Sequence, residues 1–143
     1  MKRTIFAVLA GFVVWVLLVS LLDRVLRLAI PGYLEAEPKF AFTLTMMLAR
    51  LGIGALSSLA AGAAAALIAR SAARAPWIAG AVFLALFIPE HVKLWSVLPV
   101  WYHLTFLLTL VPLFGAGGAL ARWWALALQT AGARGGGAVN SAG

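Results

Sequence analysis

MKRTIFAVLAGFVVWVLLVSLLD, residues 1–23, opens on two cations, runs nineteen positions from Thr4 to Leu22 without a charge, and closes on Asp23. At about 1.5 Å of rise per helical residue, the 20 steps from Arg3 to Asp23 cover roughly 30 Å, the thickness of a bilayer's hydrocarbon core. A secretory signal peptide shares the basic start, but its apolar region is shorter, about 7–15 residues, and ends at small residues. Here the run ends in Leu21-Leu22-Asp23, so it is read as an uncleaved signal anchor. Asp23 and Arg27 stand four apart for an ion pair on one helix face, and Pro31-Gly32 stops the helix after Ile30.

The same interval recurs three times further along. Arg50 to Arg70 spans 20 residues, Arg74 to Lys93 spans 19, and His103 to Arg122 spans 19. Four helices crossing a bilayer would therefore carry their charged and histidine side chains in two planes, one at each edge of the hydrocarbon. Composition agrees: 64% of residues are hydrophobic, 10% are charged, and mean hydropathy is +1.04. A soluble domain is about a quarter charged, so a water-soluble reading would leave apolar surface bare. The net charge of +7 lacks the clustered basic stripe of a nucleic-acid groove, and no nucleic-acid partner is expected. Cysteine is absent, which excludes disulfides and thiolate chemistry.

The expected fold is all-α, a four-transmembrane-helix bundle of two helical hairpins over residues 1–124. Its helices are placed at about residues 4–30, 40–69, 76–98 and 100–122, followed by a disordered glycine-rich tail at 125–143. In the second segment Gly54, Ser58, Gly62 and Ala66 recur every four residues and form a stripe on which another backbone can approach closely. An alanine-rich composition alone is the bland account of the same pattern. Pro76 suits a helix's first turn. Pro89 should kink or end the third helix, and Pro112 marks a kink relieved by Thr105 and Thr109.

Basic residues favour the cytoplasm. With both termini inside, Lys2, Arg3, Arg70, Arg74, Arg122 and Arg134 are cytoplasmic and unaccompanied by acids. Arg24, Arg27, Lys39 and Lys93 lie outside beside Asp23, Glu35, Glu37 and Glu90. The expected location is the bacterial inner membrane, with N-in/C-in topology. Trp77, Trp123 and Trp124 form an aromatic belt at one plane, and Tyr33, Trp95, Trp101 and Tyr102 at the other. Trp15 falls mid-helix and reads as packing.

Chemistry, if present, belongs to the outer plane, where Asp23, Arg50, Glu90, His91, Lys93 and His103 come from all four helices. One reading is a structural cap in which Arg50 pairs with Glu90 or Asp23 and locks the bundle. Ionisable groups near hydrocarbon also mark functional sites. His91 and His103 could be axial ligands of a haem b, or join Glu90 at a metal. Glu90, beside the break at Pro89, could serve a small proton-coupled transporter by alternating between Arg50 and a substrate cation. No cofactor is required by any motif.

The stretch Leu94-Trp95-Ser96-Val97-Leu98-Pro99-Val100-Trp101-Tyr102-His103-Leu104-Thr105-Phe106, with Met47-Leu48-Ala49-Arg50 and the small residues after it, resembles small bacterial four-helix integral membrane proteins. The likeness covers about residues 1–122 and implies the four-helix fold without a catalytic residue. The function expected from the whole is a non-enzymatic accessory, assembly or interaction subunit. Its partners would be the lipid bilayer and either another membrane protein or a second copy, docked through the Gly/Ala faces.

Overall fold

The computed structural model describes residues 2–69 and 73–140, with side chains described at 2–69 and 73–131. Helix α1 spans Lys2–Ala29, α2 Tyr33–Ala36, α3 Leu44–Ala69, α4 Ala75–Lys93 and α5 Val100–Asn140, and a 3-10 turn covers Glu37–Lys39. No strand occurs among the described residues. Four of the helices, α1, α3, α4 and α5 to Ala131, are long and apolar enough to cross a membrane.

Several boundaries differ from the sequence reading. The second long helix, expected from residue 40, begins at Leu44, because Phe40 takes a left-handed backbone (φ 51) and Thr43 supplies the cap. The Thr43 hydroxyl accepts a bond from the Met46 backbone N–H at 3.3 Å, satisfying one of the first-turn donors. The third helix passes through Pro89 and stops at Lys93 instead of 98. The chain then closes tight turns, Val97 N–H to Leu94 O and Leu98 N–H to Leu94 O, ahead of Pro99, which disfavours helix in the residue before it. The fourth helix, expected to end at 122 before a disordered tail, continues as helical backbone to Asn140. The strong helix formers Ala125-Leu126-Ala127-Leu128-Gln129 account for the first turns of this extension, and nothing in the sequence accounts for helix through Gly135-Gly136-Gly137. Arg70 and residues 141–143 lie outside the described residues.

Helix α3 packs against all three other long helices, most extensively α1 and α5. Its sequence explains why. Gly54, Ser57, Ser58, Ala61, Gly62, Ala65, Ala66 and Ala69 are all buried, and they fall in two adjacent columns of four-residue spacing that make a strip two small residues wide. On one side α1 presents Gly11, where a Cβ would stand 3.2 Å from the Ala61 carbonyl oxygen. On the other, Gly62 lies directly against the backbone of Phe114, and Gly117 against the Leu59 carbonyl. Helix α4 closes on α5 through Trp77 at Gly115 and Pro76 at Gly118.

Large aromatic side chains from the other helices fill the space that α3 leaves. Phe83 sits with its ring centroid 5.0 Å from Phe114 and 5.5 Å from Trp15, and Phe87 stands 5.0 Å from Trp15 and 5.1 Å from Phe106. The outside of the bundle is the reverse of a soluble protein. Leu17, Leu56, Leu86 and Leu108 point away from it, each more than half exposed. Contiguous apolar surface of this kind suits lipid, where every backbone group is satisfied within its own helix.

Candidate functional site

The end of α1, the start of α3, the end of α4 and the start of α5 meet at one end of the bundle, and the polar side chains collect there. Gly32, in the left-handed region (φ 76), lets the chain reverse after α1 so that α2 folds back over the helix ends. That reversal buries Tyr33 completely. Its hydroxyl donates to Asp23 Oδ1 at 3.1 Å and accepts from Arg50 Nη1 at 2.7 Å. Asp23 and Arg50 themselves stand 3.7 Å apart, so the phenol knits a carboxylate of α1 to a guanidinium of α3. Burial pushes the Tyr33 phenol above its ordinary value, with the neighbouring Arg50 charge pulling the other way.

Arg27 pairs with Asp23 at 3.0 Å, as its four-residue spacing predicts, and with Glu37 of the 3-10 turn at 2.8 Å. Arg50 also lies over the Phe42 ring, 4.7 Å from its centroid. It is thus fixed from three sides, by Asp23, Tyr33 and Phe42. Glu90 pairs with Lys93 at 2.8 Å on an exposed face and not with Arg50.

Beneath this network is an open cavity of about 340 Å³. Ser20, Asp23, Glu37, Arg50, Glu90, His91 and Tyr102 supply its polar groups, and Trp15, Phe40, Phe42, Phe87 and Phe106 much of its apolar wall. Of the six outer-plane residues singled out in the sequence, four line it together. Lys93, on the exposed face, and His103, buried between α4 and α5, are not part of its lining.

His103 is fully buried, with Trp95 stacked on it at 5.0 Å and 15°. Its Nδ1 is 2.8 Å from Nδ1 of His91, whose ring stacks on Phe106 at 4.8 Å. One of these nitrogens must donate and the other accept. His103 Nε2 is buried and unpartnered. Were His103 the acceptor, its Nε2 would carry an unsatisfied N–H, so we assign the proton to His103 Nδ1, which leaves only a lone pair unpaired. Neutral His91 then carries its proton on Nε2.

This contact does not fit the haem. Two nitrogens trans on one iron need about 4 Å between them at about 2 Å per bond, and a macrocycle between the rings. Among the described residues, no group of three His, Cys, Asp or Glu side chains could hold a metal ion, so Glu90, His91 and His103 do not converge as ligands.

The small-residue stripe leads down from the cavity. Ser58 donates to the Gly54 carbonyl at 2.7 Å and accepts from the Trp15 indole N–H at 3.1 Å, which fixes the ring that floors the cavity. Gly54, Ser58, Gly62 and Ala66 are all buried within the single chain. Sequence reasoning missed Tyr33 and Tyr102 as members of the polar network. Both were read as headgroup anchors, and only the Pro31-Gly32 reversal could have signalled that Tyr33 returns to the bundle. Comparison with protein-family models, curated proteins and solved structures gives no match.

Proposed function

We propose that this chain is a non-enzymatic, multi-pass protein of the bacterial inner membrane, built as two helical hairpins with both termini cytoplasmic, that holds a small ligand in the cavity at its outer end. The cavity carries this reading. Its roughly 340 Å³ falls in the range of small-molecule sites, and it joins an aromatic wall to a few placed polar groups, the usual composition of such sites. The excess of basic residues at the opposite end supports the orientation. A carrier that moves its ligand would use the same cavity. Glu90 would then leave Lys93, rather than Arg50, to meet a substrate.

Docking of a partner helix through Gly54, Ser58, Gly62 and Ala66 has less support, because α1 and α5 already occupy that face. Two measurements test the proposal. Because the chain has no cysteine, single cysteines at Ala73 and Ser96 report topology: an impermeant maleimide applied to whole cells should label Ser96→Cys and spare Ala73→Cys. In nanodiscs, compounds that raise the melting temperature of the wild type should lose that effect in Ser20→Trp, which places an indole in the cavity. A screen in which wild type and Ser20→Trp respond alike would refute ligand holding.

A further inference from the structure

A second cavity, about 390 Å³ and almost wholly apolar, lies between α3 and α5, with Leu48, Leu51, Ala55, Leu110 and Leu113 in its lining. It shares two residues with the polar-rimmed cavity, Gly54 and Phe106. Only this glycine and this ring are common to both walls, and a Cβ at Gly54 would stand 3.2 Å from Phe106 Cε2. One chamber is therefore polar at its rim and aromatic on its walls, and the next is open and oily.

We propose that the two chambers together bind one amphipathic cation, an ammonium head in the polar-rimmed cavity beside Glu90 and an alkyl tail along the α3/α5 groove past Phe106. The proposal rests on the ligand-holding reading and names its ligand class. Three carboxylates line the polar cavity against a single cation, Arg50. Arg50 is not free for an anion, being held by Asp23, Tyr33 and Phe42. Asp23 and Glu37 are likewise engaged by Arg27. Glu90 differs. Its partner Lys93 is three residues away on the same helix, and both side chains are more than half exposed, the kind of pair that contributes little and exchanges readily. The exchangeable charge at the cavity is thus a carboxylate, and the aromatic rings of Trp15, Phe87 and Phe106 in the same lining favour a cation. The tail needs no polar partner, and the hydroxyls in the groove at Ser58 and Thr109 are already bonded to the Gly54 and Thr105 carbonyls.

Photolabelling in nanodiscs tests this. Three twelve-carbon probes with a terminal diazirine differ only in the head: trimethylammonium, alcohol or carboxylate. The ammonium probe should label α3/α5 groove residues such as Leu51 and Leu113 well above the other two. Labelling should fall by about tenfold or more in Glu90→Gln, the size of a lost charge-assisted contact. Lys93→Ala, which removes the competing cation and leaves Glu90 in place, should keep or raise it. Carrying this out in phosphatidylglycerol and again in phosphatidylcholine separates the sources of the ammonium. Loss of labelling in phosphatidylcholine assigns the head to a bilayer lipid, and retention assigns it to a separate molecule. Stronger labelling by the carboxylate probe, or equal labelling in Glu90→Gln, overturns the ligand class while leaving a ligand site. No labelling of either cavity above the lipid background by any probe overturns the ligand-holding reading as well.

Discussion

His91 and His103 meet Nδ1 to Nδ1 at 2.8 Å, across the contact between α4 and α5 and between two stacked aromatic rings. Because His103 Nε2 has no partner, nitrogen NMR of the labelled protein should show His103 protonated at Nδ1 and His91 at Nε2. Replacing His103 by Leu strips His91 Nδ1 of its donor inside an aromatic shell, which costs about 1–3 kcal/mol. The double variant His91→Phe/His103→Leu should cost less than the sum of the single changes, since no orphaned nitrogen remains. Strict additivity in detergent melting would show that the pair is not coupled.

Tyr33 is the covering residue of the polar end, and its hydroxyl is the part that matters. Tyr33→Phe keeps the ring packed and removes one bond to Asp23 and one to Arg50, both charged. Bonds to charged groups contribute about 1.5–3 kcal/mol, so the variant should melt measurably lower. Its pH dependence is a second readout. A phenol whose folded value is raised contributes stability that is fully present below its ordinary value of 10.0 and is lost as pH rises through the folded value. Wild type should therefore lose melting temperature more steeply than Tyr33→Phe above about pH 10, with delayed phenolate absorbance for this one tyrosine.

The four helices long and apolar enough to cross a membrane were legible because their signal is one-dimensional. Arg3 to Asp23 and Arg74 to Lys93 measure a bilayer in residues, and no tertiary contact is needed to read that length. The ion pair of Asp23 with Arg27 was equally local. What failed to show was the return of the chain. Tyr33 and Glu37 lie in a loop whose composition suits a wet surface, yet one left-handed glycine, Gly32, turns them back onto Arg50 and Arg27. The histidine pair was half legible: equal height on adjacent helices brought His91 and His103 together, but spacing alone could not separate shared metal ligation from a direct hydrogen bond. The stripe on α3 was seen as one column, and Ser57, Ala61, Ala65 and Ala69 make it two, which is why it serves α1 and α5 at once.

Ser58 tests how the floor of the cavity is held. Its hydroxyl receives the buried Trp15 indole N–H. Ser58→Ala leaves that donor without a partner, and about 1–3 kcal/mol should be lost although only one oxygen is removed. Ser58→Thr keeps the acceptor but adds a methyl to a strip that tolerates only small side chains. Trp15→Phe in the Ser58→Ala background should recover part of the loss, because it removes the unpaired N–H. Trp15 emission should shift in Ser58→Ala if the indole re-orients toward the cavity, and an unchanged spectrum with unchanged stability would mean the bond is not formed in the bilayer.

Three glycines separate close packing from mere small size. At Gly62 and Gly117 an added Cβ runs into the backbone of Phe114 and the Leu59 carbonyl, so α3 and α5 would have to move apart along their whole contact. Overpacking of a filled interior costs about 1–3 kcal/mol, and backbone cannot yield as a side-chain tip can. Gly62→Ala and Gly117→Ala should each lower the melting temperature and loosen the α3/α5 crossing. Gly52 is on the same helix as Gly62 but has nothing within 4 Å of its would-be Cβ. Gly52→Ala should therefore be neutral or stabilise by about 0.5–1 kcal/mol through helix propensity. If all three substitutions behave alike, the glycines reflect composition and the crossing is not built on them. If Gly52→Ala alone is harmful, that helix face is covered by a partner or second copy, and the interaction-subunit reading regains the ground it lost to the cavity.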